Sequence, residues 1–141
     1  MQTVRDRSGA RYLLVKRSAD SWLVRDPETG TEQYRPASEF DAETGVSPLV
    51  TAAEGVPEPL RRTITAAHDE RALGLLVELV DREELAVRDL LSAYDLCERD
   101  LHGLLAEFTA AGLIEETTVA GERGVAPTDD ARTAIASLRQ R

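Results

Sequence analysis

Residues 96–113 read Leu-Cys-Glu-Arg-Asp-Leu-His-Gly-Leu-Leu-Ala-Glu-Phe-Thr-Ala-Ala-Gly-Leu. Leu101, Leu104, Leu105 and Phe108 recur at i, i+3, i+4 and i+7, the spacing that lines up apolar side chains along one stripe of a half-buried helix. Gly112 then supplies a stop, because glycine enters the left-handed conformation without a steric penalty. Directly downstream, residues 114–119 have β-type composition, Gly-Glu-Arg-Gly at 121–124 reads as a tip, and a short second strand starts at Val125. A helix that stops at Gly-Leu and feeds a hairpin is the order against which the rest of the chain is read.

Upstream of that helix the period stays helical back to residue 57. Leu60, Ile64 and Ala67 mark one short amphipathic helix, with Pro57 and Pro59 suited to its first turn. Asp69 is placed to cap a second helix whose stripe is Leu73, Leu76, Val77 and Val80. Residues 81–84 form a polar turn, and Val87, Leu90, Leu91 and Tyr94 stripe a third helix. Asp95-Leu96 turns the chain into the 98–111 helix. Beyond the hairpin, Thr128 caps a last helix with Ala131, Ile135 and Leu138 inward, and Asp129 and Asp130 suit its positive end.

Residues 1–40 carry a different signal. Arg-Tyr-Leu-Leu-Val-Lys-Arg (11–17) and Ser-Trp-Leu-Val-Arg-Asp (21–26) are strand-like and joined by a polar turn; Asp-Pro-Glu-Thr-Gly (26–30) leads into a third strand near 31–35. A lead-in strand near 3–5 completes a small antiparallel sheet with Tyr12, Leu14, Trp22 and Val24 on one face. Residues 41–56 are small, polar and broken by Gly45, Pro48 and Gly55, which reads as a linker. The expected layout is α+β: a β-meander at 1–40, a linker at 41–56 and a helical domain with a hairpin at 57–141.

Composition limits the function classes. The chain has 141 residues, 26 acidic and 17 basic, and Lys16 is its only lysine. Acidic surfaces nearly without lysine resemble proteins of salt-accumulating halophilic archaea, where carboxylates keep a surface hydrated. In roughly molar salt the Debye length is ~3 Å, so overall acidity does not exclude nucleic acid and local contacts decide. One cysteine, no apolar run of about 20 residues and no signal-like N-terminus point to a cytoplasmic protein without a membrane partner. There is no phosphate loop, Gly-x-Ser-x-Gly or His-Glu-x-x-His, and only His68 and His102 are available as bases. The chain is therefore expected not to be an enzyme and to need no cofactor or catalytic residue.

The segments Asp-Glu-Arg-Ala-Leu-Gly-Leu-Leu-Val-Glu-Leu (69–79), Leu-Ala-Val-Arg-Asp-Leu-Leu (85–91), Leu-His-Gly-Leu-Leu-Ala-Glu-Phe-Thr-Ala-Ala-Gly-Leu-Ile (101–114) and Ala-Pro-Thr-Asp-Asp-Ala-Arg (126–132) resemble winged helix-turn-helix transcription regulators of the ArsR and MarR kind. The two-part layout, with the meander in front, is similar to a haloarchaeal family. The resemblance implies a homodimer on double-stranded DNA, with the helix at 98–111 in the major groove and the hairpin, the wing, beside it. It places Glu98, Arg99, Asp100, His102 and Gly103 toward the groove, although Glu98 and Asp100 are acidic where such regulators carry neutral or basic residues. Arg99 would read guanine, His102 a base edge or phosphate, Arg123 at the wing tip the minor groove, and Arg88 a phosphate. Gly103 in mid-helix leaves room for close approach.

The competing expectation is a protein-interaction module that does not bind DNA. It follows from Glu98 and Asp100, from 10 arginines against 17 acids after residue 56, and from Trp22 as an anchor. Cys97 lacks the second cysteine of a Cys-x-Cys metal sensor, so no metal site is expected and a helix-capping role fits it better, with redox sensing behind.

Overall fold

The computed structural model describes residues 1–140, and the chain divides into two compact units after Pro57. In the first, β1 (Gln2–Asp6), β2 (Arg11–Arg17), β3 (Ser21–Arg25), β4 (Glu32–Pro36) and β5 (Phe40–Ala42) form one antiparallel sheet in the order β4-β3-β2-β1-β5. The meander runs outward from β1 to β4. A single 3-10 turn at Ala37–Glu39 then returns the chain to the free edge of β1. The core of this unit is Val4, Leu14, Val24 and Phe40, with Tyr12 and Trp22 against it, so the face expected from sequence is real. Phe40 stacks on Trp22 at 6.2 Å between ring centroids and meets Tyr12 edge-on at 5.7 Å.

Residues 41–56 are not a linker. They hold most of β5 and the helix α1 (Pro48–Ala53), which starts on Ser47 as N-cap and packs against β1 and β2. Glu43 and Glu54, on either side of α1, both hold Arg11 of β2, at 2.9 Å and 2.6 Å. Gly55 is not a flexible joint, since a Cβ there would overlap the Pro27 carbonyl. Small residues in this segment allow close packing that a sequence window reads as looseness.

The second unit contains α2 (Glu58–Ala66), α3 (Glu70–Arg82), β6 (Leu85–Ala86), α4 (Val87–Ala93), α5 (Glu98–Ala110), β7 (Ile114–Val119), β8 (Glu122–Pro127) and α6 (Asp129–Leu138). Strands order as β6-β8-β7. Helices α3, α4 and α5, with the short strand β6 between α3 and α4 and the β7–β8 hairpin after α5, make this a winged helix-turn-helix domain, and the whole chain is α+β. Leu76, Leu79, Leu90, Leu101, Phe108, Leu113 and Ile135 form its core. Asp69 caps α3 through Ala72 N at 2.8 Å, and Thr128 caps α6 through Ala131 N at 3.4 Å. Among the described residues no helix is long and apolar enough to cross a membrane.

Three side chains expected inside lie outside. Ile64 is 60% exposed, Leu138 47% and Leu73 37%. With Ala67 they line one open apolar cleft across α2, α3 and α6. The helical stripe on each of these elements is wider than the part of it that the domain core covers.

Candidate nucleic-acid interface

α5 is held from below and open above. Leu101, Leu105 and Phe108 are buried, while Arg99 and Gly103, on the opposite arc, are exposed. The helix begins on Cys97, whose Sγ accepts from Asp100 N at 3.4 Å, so the lone thiol acts as an N-cap. Its other end closes as a Schellman motif: Gly112 at φ 72° lets Leu113 N donate to Phe108 O at 2.9 Å and Gly112 N to Thr109 O at 3.0 Å. The α4–α5 turn carries Asp95 at φ 50°, a conformation asparagine and aspartate tolerate better than other side chains. Among the described residues no group of three His, Cys, Asp or Glu side chains is placed to hold a metal ion.

The wing differs from its sequence reading. Its turn is Ala120-Gly121, at φ 49° and 80°, a two-residue connection with both central residues left-handed. Glu122, Arg123 and Gly124 lie inside β8, not at a tip, and Arg123 sits opposite Thr118. Gly124 is required there, because a Cβ would come within 2.6 Å of Val119 Cγ2 and 2.8 Å of the Leu85 carbonyl oxygen. That contact is what admits the short strand β6 beside β8, an element too brief to show in the sequence pattern.

Three of the four expected contact residues stand beside carboxylates. Arg88 forms an ion pair with Glu122 at 2.8 Å, and Arg123 donates to Glu116 at 2.8 Å. His102, half-buried, has Nε2 3.6 Å from Glu98 Oε1. Glu122 and Arg123 are consecutive in a strand and point to opposite faces, so Arg88 and Arg123 are not brought to one side of the wing. Among the described residues Arg99 has no carboxylate partner. It lines an open cleft of about 400 Å³ between α3 and α5 together with Gly103.

The same cleft is lined by Arg71, which the sequence did not single out and which also has no side-chain partner among the described residues. The signal existed: no Asp or Glu stands three or four positions from Arg71, so its own helix offers no i,i+4 pair.

A family model, described as a family of unknown function (DUF7346), matches residues 1–139. The chain belongs to that family. The match takes in both units, so the N-terminal sheet and the winged helix belong to one family architecture. No curated protein matches. Among solved structures, an ArsR family transcriptional regulator is similar at 18% identity and TM-score 0.44, with 59% of this chain and 84% of that one covered.

Proposed function

We propose that this DUF7346 chain is a cytoplasmic DNA-binding transcriptional regulator that acts as a homodimer through its winged helix. The observation that carries the reading is the open arc of α5, where Arg99 is exposed and unpaired beside Gly103. A Cβ added at Gly103 meets nothing within 4 Å, so the helix backbone presents a low surface to a duplex. The ion pairs on Arg88 and Arg123 are exposed, and such pairs are worth roughly 0–1 kcal/mol. Exchanging a carboxylate for a phosphate there costs little, and less still in molar salt. The exposed Ile64, Leu73 and Leu138 form the apolar face through which two copies would associate. Selection of genomic fragments by the purified protein in molar KCl tests this. Enrichment of a roughly palindromic site is expected, and recovery of random fragments overturns it.

A second reading is favoured by one specific observation. Arg88, His102 and Arg123 already face carboxylates, and Glu98 and Asp100 flank Arg99 on the same helix. Such a surface suits an arginine-bearing protein partner. A single stoichiometric protein recovered without DNA fragments would decide for it.

A further inference from the structure

The connection from α3 to β6 is Glu83 and Glu84 alone, with no glycine in it. Glu83 stands at φ 70° and ψ −60°, and Glu84 N donates to Arg82 O at 2.9 Å across it. These angles and this i to i+2 bond make a γ-turn of the rare form, in which a Cβ crowds its own backbone and stores strain. The Glu83 side chain is exposed, so burial does not hold the turn.

The two ends of the connection hold it instead. α3 is fixed by Leu75, Leu76 and Leu79 in the core, and in its last turn by the Asp81–Arg139 ion pair at 2.7 Å. β6 is fixed by its register, with Leu85 opposite Val125 and Ala86 opposite Gly124. The chain must pass from one anchor to the other within Glu83 and Glu84.

β6 is the weaker anchor. It has two residues, Ala86 buried and Leu85 half-buried, against six in each strand of the wing. It already lies close to β8, with the Leu85 carbonyl oxygen 2.8 Å from where a Cβ at 124 would stand. α4 starts directly behind it, and its N-cap, Ala86, offers no side-chain hydrogen bond. Once β6 leaves β8, Glu83 can return to negative φ and the strain is gone.

We propose that β6 is a strained latch: the γ-turn at Glu83 favours its release from β8, and release frees the wing and the first turn of α4 together while the domain core stays folded. Strain of this kind is comparable with the few backbone hydrogen bonds a two-residue strand can make, so the latch closes by a small margin. The β7–β8 hairpin stays paired in the open state, because its own ladder from Ile114–Pro127 to Val119–Glu122 does not run through β6. The latch belongs to the free protein and does not rest on DNA binding. A ligand that touches α4 and the wing together would hold it closed.

Native-state hydrogen exchange of the full chain, followed by NMR in rising denaturant, tests the latch. In the wild type, the amides bonded between β6 and β8 should exchange through a local opening that denaturant hardly changes. They should do so ahead of the amides of Leu76 in α3 and Leu105 in α5, which are buried in the core. Glu83→Gly keeps the turn and removes the strain, so that local opening should become about tenfold rarer. Glu83→Ala removes the carboxylate but keeps the Cβ, and should leave the opening within about twofold of wild type. Both variants should fold, since the side chain at 83 is exposed. Three results would overturn the proposal. One is β6 exchanging only with global unfolding in the wild type; another is Glu83→Gly raising global stability while the local opening stays unchanged. The third is Glu83→Ala matching Glu83→Gly.

Discussion

Thr3 Oγ1 and Thr51 Oγ1 share a hydrogen bond of 2.6 Å, with both residues fully buried and 48 positions apart. It fastens α1 to β1 and makes residues 41–56 part of the N-terminal core. Replacing either threonine by valine keeps the shape but strips the remaining hydroxyl of this partner. We expect Thr3→Val to cost about 1–2 kcal/mol in chemical denaturation and Thr3→Val/Thr51→Val to cost less than the sum of the single changes. Additive losses would mean the two hydroxyls do not depend on each other.

Glycines at 103 and 124 should respond in opposite directions. Gly103→Ala places a methyl group in open space on α5 and should stabilise the domain by about 1 kcal/mol. Gly124→Ala drives a Cβ into Val119 and the Leu85 carbonyl, and should destabilise it by about 1–3 kcal/mol while detaching β6 from β8. Melting temperatures of the two variants check both signs.

The N-terminal unit should weaken in acid. Hydrogen bonds from Ser8, with smaller help from Ala10 and Arg35, hold the Asp6 carboxyl below its ordinary value. Arg11 does the same for Glu43. A carboxyl depressed in the folded state adds stability that is complete above its unfolded value, about pH 4, and is lost as pH falls through the lower folded value. Thermal melts should therefore be flat above about pH 5 and drop below about pH 4. Asp6→Asn should lower stability at neutral pH and flatten that acid limb. An unchanged limb would show that Asp6 is not one of its sources.

If α5 reads a duplex, its arginines separate by kind of contact. Arg99→Ala should relax sequence preference, at a cost of about 1–3 kcal/mol at one base position. Arg123→Ala should weaken all sequences alike and reduce the salt slope by about one. Mobility-shift titrations over a range of KCl measure both. No effect from either change would remove the reading surface proposed for α5 and the wing.

The apolar cleft of α2, α3 and α6 should govern assembly. Ile64→Glu places a charge on a side chain that is already 60% exposed in one copy, so the monomer fold should survive. Sedimentation equilibrium is expected to show a dimer for the wild type and a monomer for Ile64→Glu. A monomeric wild type would remove the homodimer from the proposed function.

Periodicity alone was enough for the helices of the second unit and for the first four strands of the N-terminal sheet, because burial of one face writes a repeat into the residues that form it. The caps Asp69, Cys97 and Thr128 and the stop at Gly112 were equally legible, since each satisfies a local backbone requirement. Tertiary contact decided the rest. β5, β6 and α1 are too short to carry a period and exist because Glu43, Gly124 and Thr51 meet residues far away in the chain. Whether an arginine is free depends on which carboxylate folding brings to it. Arg88 and Arg123 are paired with carboxylates of the wing, while among the described residues Arg71 and Arg99 form no ion pair although Asp69, Asp100 and Glu107 line the same cleft. Ion pairs between separate elements follow from distance in space, and no spacing along the chain encodes that distance.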